Sequence, residues 1–399
     1  MQASAGNRVL MLLENNPFPQ DPRPRREARA LLDAGFQVSI ICPAVSNQPW
    51  RECVEGVNVY RYPGPPAPNG ILGYLWEYAY SMIASFALSW LVYFRHGFDI
   101  IHAHNPPDTF VLIASPFKML GKRFVFDHHD LSPEMYLARF KDQGNPWIYN
   151  ALVWAEKLSC RMADLVISTN ESYKTVEMER GEIPAHRIVV VRNGPDVSNA
   201  APPAPDVSLR RLEKTIIGYV GVMGHQDGVD YLLRALKHLL SDIKREDFLC
   251  VIIGGRGEAR ESLKLLSSEL GLDKHVWFTG WVSDEELKRF LSSADICVDP
   301  DPSNSFNDRS TMIKMMEYMA LAKPIVAFDL PEHRYTAQEA AIYVRPNDEL
   351  EFARALVELM DDPERRRKMG SFGRHRVQTQ LSWNHSVQHL LKAYRMLST

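Results

Sequence analysis

The chain has 399 residues, 45% of them hydrophobic and 24% charged, with a net charge of −3. That composition is globular, long enough for two domains of ordinary size, and it excludes an extended disordered chain. A charge this close to neutral gives no electrostatic case for a nucleic-acid partner.

Arg8 to Leu13 is a continuous apolar run ending at a polar turn, as expected of a parallel strand covered on both faces. The preceding N-terminus, MQASAGN, has no basic stretch and suits the approach to a first strand better than a signal peptide. NNPFPQDPRPRRE follows as a proline-rich loop carrying Arg23, Arg25 and Arg26, either solvated or placed to meet a phosphate. Helical spacing from Glu27 to Ala34 and a strand from Val38 to Cys42 complete a β, loop, α, β opening, the doubly wound pattern. The five cysteines, Cys42, Cys53, Cys160, Cys250 and Cys297, are odd in number and far apart, and are expected as reduced core thiols of a cytoplasmic protein.

Ile71 to Phe94, ILGYLWEYAYSMIASFALSWLVYF, carries one charge. Its length would reach across a bilayer, but Glu77, Ser81, Ser85 and Ser89 recur at every fourth position as a narrow polar stripe. Strands of one sheet continue on both sides of it, so burial or peripheral docking at a membrane interface is expected in place of a span. Short apolar strands at Asp99 to His102 and Arg123 to Phe126 run into HAHN at 102–105 and DHHD at 127–130. Strand alternation places His102 and His104 on one face, with His129 able to join them. Without an HExxH motif or a cysteine partner, these histidines are expected as substrate contacts, orienters or structural groups, and no metal is assigned.

A helix at Trp147 to Ala163 and strands at Leu165 to Ser168 and Ile188 to Val191 lead to a Pro/Ala-rich linker over 196–208. A second alternating series follows, with strands at Ile216 to Val222, Leu249 to Ile253, Val276 to Phe278, Ile296 to Val298, Ile325 to Phe328 and Ala341 to Val344. The expected architecture is α/β, with two Rossmann-like doubly wound domains, 1–195 and 209–380, facing a cleft. The stretch 381–399 forms a C-terminal helix crossing back to the first domain, with Trp383 packing on it. Within the second domain, NDRSTMIKMMEYMALAKPIVAFDLPE gathers its polar groups at one end of a loop, helix, strand unit. Ser310 and Thr311 are good N-cap types, and a helix start of this kind attracts an anion. Glu317, one and a half turns on, suits a ribose diol; a structural ion pair is the bland counterpart.

Six stretches in order, ADLVISTNES, IVVVRNGPD, IIGYVGVMGHQDGVDYLLRAL, VIIGG, FTGWVSDEELKRFLSSADICVDP and EYMALAKPIVAFDLPE, resemble the retaining glycosyltransferases of family 4, of GT-B architecture and bacterial surface-polysaccharide type. The resemblance implies a nucleotide-sugar donor bound mainly by the second domain and a glycan or lipid-linked acceptor bound mainly by the first. It implies retention of configuration without metal or cofactor, while the apolar helix over 71–94 adds the expectation of a cytoplasmic protein that touches the inner face of the cell membrane. Glu317 would hold the ribose, the amides of Ser310, Thr311 and Met312 the diphosphate, and His129 would stand near the sugar or the reacting phosphate. Gly221 and Gly254 would let backbone approach the donor, beside Val222, while Trp281 and Val282 would flank the base. Arg25, Arg26 and His104 are the acceptor or phosphate contacts expected from the first domain.

The match has gaps. The family's first glutamate falls on Arg309, and its Arg and Lys that neutralise the diphosphate fall on Val222 and Asp227. Some positive charge should offset the departing nucleoside diphosphate, and Arg309 and Lys314 are expected to supply it. A nonhydrolysing UDP-sugar epimerase of the same architecture and a catalytically degenerate nucleotide-sugar-binding protein are the alternatives. Asp299-Pro300-Asp301 also mimics the metal-binding Asp-x-Asp of the other large glycosyltransferase architecture, but the surrounding order of elements does not follow that architecture.

Overall fold

A computed structural model describes residues 7–45, 47–64, 70–140, 143–196 and 203–397, without the side chains of 70–72, 74 and 75. Part of the expected linker therefore lies outside the described residues; its end forms a short helix, Val207–Arg210. Contacts divide the chain into two compact units, one of Met1–Leu137, Gln143–Asn193 and Asn384–Thr399, the other of Ala138–Asp142 and Gly194–Trp383.

The first unit is built on eight strands: β1 Arg8–Leu12, β2 Gln37–Ala44, β3 Arg51–Val54, β4 Val57–Pro63, β5 Ile100–His104, β6 Arg123–His128, β7 Leu165–Ser168 and β8 Ile188–Val190. Their order is β3-β4-β2-β1-β5-β6-β7-β8, parallel throughout except for β3 against β4. That antiparallel hairpin was not expected from the sequence. Its signal is Glu55-Gly56, both at positive φ (53° and 84°), the geometry a two-residue hairpin turn requires. Chain order reverses between β1 and β5, where a doubly wound sheet opens its crevice. In the neighbouring register His104 lies beside Asp127.

The first helix spans Pro22–Asp33, so Arg23, Arg25 and Arg26 sit in its opening turns and not in a loop. Prolines at 22 and 24 mark a helix start here because the first turn has no carbonyl waiting for their missing N–H groups. Asp21 caps it by accepting from the Arg23 amide.

The helix Gly70–Arg95 turns Ser81, Ser85 and Ser89 inward, all fully buried, and leaves Ile83 and Phe94 71% and 78% exposed. Ser81 donates to Glu14 at 3.3 Å and Ser89 to the Ser85 carbonyl at 2.7 Å. Small polar side chains allow a close approach to the protein, which strands the bulky apolar ones outside. Among the described residues no helix is long and apolar enough to cross a membrane.

Burial first, and then the Glu77 carboxylate, push Glu14 up from 4.5 to about 7. A carboxyl group raised on folding binds more protons folded than unfolded between those two values, so stability falls as pH rises from about 4.5 to 7. Glu14→Gln should therefore stabilise the chain by about 2–3 kcal/mol at pH 8 and by almost nothing at pH 4.5, read by urea unfolding. An equal effect at both pH values would show that ionisation is not its cause.

The second unit holds β9 Thr215–Gly221, β10 Phe248–Gly254, β11 Val276–Gly280, β12 Ile296–Asp299, β13 Ile325–Phe328 and β14 Ala341–Val344, all parallel in the order β11-β10-β9-β12-β13-β14. Here the order reverses between β9 and β12. The helix Trp383–Leu397 belongs to the first unit from Asn384 onward. Its Tyr394 hydroxyl lies 2.6 Å from His102 Nδ1 and its ring packs edge-on against Phe36 at 5.3 Å. Trp383 groups with the second unit instead, its amide donating to the Pro195 carbonyl at 3.1 Å.

Candidate functional site

In the second unit the carboxyl ends of β9, β10 and β12 bring glycines and buried charges together. Gly254 has φ +102°, and a Cβ there would stand 2.4 Å from the Gly221 carbonyl oxygen, so the two strand ends meet backbone to backbone. Val222, just past Gly221, is 77% exposed. Asp227, on the position where the family resemblance calls for lysine, turns its carboxylate back to accept from the Gly224 amide at 2.7 Å.

Past β11, Trp281 stands exposed with the Arg256 guanidinium 3.9 Å above its ring, while Val282 is packed into the core beneath. The Ser283/Glu286 capping box fixes the helix that follows. Trp281 and Arg256 thus offer a flat aromatic and cationic surface beside Gly254 in chain order.

The helix that organises this region runs Ile313–Ala320, two residues later than its cap types suggested. Ser310 and Thr311 do not cap it. The Ser310 hydroxyl donates to the Phe306 carbonyl at 2.8 Å and its amide to the Asn307 carbonyl at 3.1 Å, so a turn has claimed both groups. Thr311 donates to Glu332 at 3.1 Å, and Met312 is the N-cap, with no side-chain hydrogen bond to the helix. Met315, Met316, Tyr318 and Met319 form the buried face, whereas Glu317 shares the accessible side with Ile313. The acid is therefore on the open face of the helix and not on its core side.

Lys314, one turn before Glu317, is largely buried. Its ammonium is 3.2 Å from Asp299, also pairs with Asp301, and lies 5.2 Å above the Tyr219 ring. Burial opposes its charge, yet the two carboxylates hold its pKa well above the usual lysine range. Arg309 donates to the Ser305 carbonyl at 2.8 Å.

Comparison with known proteins places this geometry. The family model described as Glycosyltransferase Family 4 matches residues 25–199, and that described as Glycosyl transferases group 1 matches 203–376. The chain belongs to the group 1/family 4 glycosyltransferases.

Among its relatives, the alpha-maltose-1-phosphate synthase of Mycolicibacterium smegmatis is 26% identical over 75% of this chain and 79% of its own. An uncharacterized glycosyltransferase of Methanocaldococcus jannaschii is 23% identical over 92% of both chains. Of the solved structures, sucrose-phosphate synthase from Thermosynechococcus elongatus superposes with a TM-score of 0.80 over 98% of this chain and 99% of its own, at 19% identity. Anabaena HepE in complex with UDP-glucose gives a TM-score of 0.72 over 98% and 100%, at 16% identity. Both share the GT-B fold of this glycosyltransferase.

In the first unit of this glycosyltransferase, residues from one helix and two strand ends form a fully buried polar cluster. Arg23 binds Asp127 through two hydrogen bonds of 2.8 and 2.7 Å, lies 3.3 Å from Glu27, and also donates to Asn193 at 2.7 Å. His104 Nδ1 is 2.9 Å from Asp127, and His102 stacks on His104 with ring centroids 4.3 Å apart. His129 joins them, its Nδ1 3.7 Å from Asp127 and its amide donating to Asn105 at 2.8 Å. Burial pushes His104 down to about 3, so it is neutral. For His129 burial works downward too, but the Asp127 carboxylate outweighs it and raises the ring. The adjacent His128 faces the opposite side of β6, against Glu156 and Glu177, as strand alternation requires.

The expected first-domain contacts thus separate. His104 and His129 come together, while Arg25 lies on the surface paired with Glu55; Arg26, one position on, is half-buried. The sequence reading put Arg23 in a loop, solvated or meeting a phosphate, and did not pair it with Glu27 or Asp127. Their signal was present: positions 23, 27, 30 and 31 make one helical stripe, and a charge pair on the same stripe as Ala30 and Leu31 is a buried pair.

Proposed function

We propose that the protein transfers a sugar from a nucleoside-diphosphate sugar to a glycan or lipid-linked acceptor, with retention of configuration and without a metal ion bridging the diphosphate. The second unit holds the donor and the first the acceptor, in the assembly of a surface polysaccharide or lipid-linked glycan. The observation that carries the donor assignment is the meeting of Gly221 and Gly254 at the carboxyl ends of β9 and β10, next to the β9/β12 reversal, together with the helix start at Met312 with Glu317 on its open side. Backbone approach, helix dipole and a ribose-binding carboxylate are then available to one ligand. Thr311 and Met312 meet the diphosphate, Val222 lies beside it, and the exposed Trp281 flanks the base. Arg309 supplies positive charge, whereas the Lys314 ammonium is held by Asp299 and Asp301. In the first unit the half-buried His129 and Arg26 are the groups proposed for the sugar and the acceptor, since Arg25 is paired with Glu55 and His104 is buried against Asp127. The relatives named above are transferases and synthases, which does not favour the epimerase.

A thermal-shift panel of nucleoside diphosphates and their sugars tests this. The Anabaena HepE structures are complexes with UDP, with UDP and glucose, and with UDP-glucose, so uridine compounds lead the panel. Ligand at one hundred times its dissociation constant stabilises by about 2.7 kcal/mol. A panel with no shift at millimolar concentrations would remove the donor site; binding without turnover on any acceptor would leave the degenerate binder.

The acceptor side is proposed to face a bilayer surface at the inner face of the cell membrane. Ile83 and Phe94 stand out from one helix, Leu112 and Met119 from the helix Val111–Met119, and Trp147 and Trp154 from the helix Pro146–Met162, each pair on one face of its helix. Arg95 and Lys118 lie at the last turns of the first two. Aromatic and aliphatic side chains with basic ones at their ends suit an anionic lipid interface. Anionic vesicles should float the wild-type chain, and Ile83→Glu with Phe94→Glu should lower the bound fraction at least tenfold; equal flotation of both would end the membrane reading.

A further inference from the structure

Two buried clusters of metal-ligating side chains occur among the described residues, and their charge balances differ. In the first unit Glu27 and Asp127 share their site with the Arg23 guanidinium and with His129, so negative charge is already answered by the protein. In the second unit Asp299, Asp301 and His333 bring ligand atoms within 4.8 Å of one another, and all three side chains are fully buried. One ammonium, that of Lys314, serves both carboxylates, and Asp227 adds a third acid to its surroundings. Three acidic side chains, Asp299 and Asp301 fully buried among them, thus surround a single cation, an excess of carboxyl groups that proteins rarely leave without a further partner.

The donor atoms are also aimed. His333 Nδ1 donates to the Phe328 carbonyl at 2.9 Å, which leaves a lone pair on Nε2. That Nε2 is buried, has no hydrogen-bond partner and points at Asp299 Oδ2 from 3.7 Å. Asp299 Oδ2 likewise lacks a hydrogen-bond partner, while Oδ1 lies 3.2 Å from the Lys314 ammonium. A metal ion with bonds of about 2.1 Å holds neighbouring ligand atoms about 3.4 Å apart, close to that separation. β12 fixes Asp299, β13 with the helix Pro331–Ala337 fixes His333, and Asp301 lies in the loop two residues past β12.

We infer that Asp299, Asp301 and His333 form a divalent-cation site beside Lys314, one that takes a first-row transition ion such as Mn²⁺, Fe²⁺, Co²⁺ or Zn²⁺. An imidazole with two carboxylates favours those ions over Mg²⁺ and Ca²⁺. The cation balances the buried acids and ties the carboxyl end of β12 to the helix Pro331–Ala337. Its ligands are closed off from solvent, so this is not a diphosphate-bridging metal, and the inference stands whether or not the donor assignment does.

The test is a Co²⁺ titration of the EDTA-treated full chain, followed by the visible absorption of protein-bound Co²⁺ and reversed by Zn²⁺. One equivalent should bind, His333→Gln should weaken binding at least tenfold, and His102→Gln should leave it unchanged. Absence of a saturable Co²⁺ signal on the wild-type chain overturns the site. So does a signal that survives His333→Gln, or one lost with His102→Gln, which would move it to the first unit. Should His333→Gln fail to fold, metal analysis of Asp301→Asn against wild type decides: equal metal content overturns the inference, and loss of the bound equivalent supports it.

Discussion

Arg23→Met is expected to destabilise the protein by about 3–5 kcal/mol, the cost of leaving a buried carboxylate without its partner. Arg23 is 5% exposed and Asp127 not at all, and the pair is joined by two hydrogen bonds of 2.8 and 2.7 Å. Without the guanidinium, Asp127 would face Glu27 inside the buried histidine cluster with no cation between them, and burial with that mutual repulsion already pushes Glu27 well above the usual carboxylate range. Burial acts on Asp127 in the same sense, and it is Arg23 that keeps it well below. The double variant Arg23→Met, Asp127→Asn should recover much of the loss, because it removes both charges together. Urea unfolding of the full chain measures both, and a cost under about 1 kcal/mol for Arg23→Met would mean that the pair holds nothing in place.

The second large effect falls on the proposed chemistry. Glu317→Ala and Arg309→Ala are each expected to lower transfer by tenfold to more than a hundredfold, equivalent to about 1.5–3 kcal/mol for one charge-assisted contact. The two should divide differently. Glu317, as the ribose contact, should raise KM for the donor, because it binds ground and transition states alike. Arg309, as the offset to charge gained by the leaving diphosphate, should lower kcat. Turnover of Arg309→Ala within twofold of wild type would remove it from the mechanism. Lys314→Ala is a less clean probe, since Asp299 and Asp301 lose their ammonium with it.

Much of this was open to reading in the chain itself. Twelve of the strands were legible because a parallel strand covered on both faces is an unbroken apolar run, and the doubly wound pattern followed from their alternation with helices. The β3–β4 hairpin was not, since neither strand is such a run and β3 lies at the sheet edge. Ser310 and Thr311 have the right side chains for caps, but a tight turn takes the Ser310 amide and Glu332 takes the Thr311 hydroxyl. Cap propensity is local, and a partner brought from another element overrides it.

By itself, then, the sequence determined the two α/β repeats, the glycine-lined strand ends and the stretch in which the helix with Glu317 lies, because these depend on residue type and spacing along one segment. Tertiary structure alone decided which charges are buried together. Arg23, Glu27, His102, His104 and Asp127 come from three elements, and Asp299, Asp301, Lys314 and His333 from a strand end, a loop and two helices. It also turned the serines of the Gly70–Arg95 helix inward together with Val92, and left Ile83 and Phe94 outside. Periodicity gives the stripe; only the partner facing it, here Glu14, says which side is the inside.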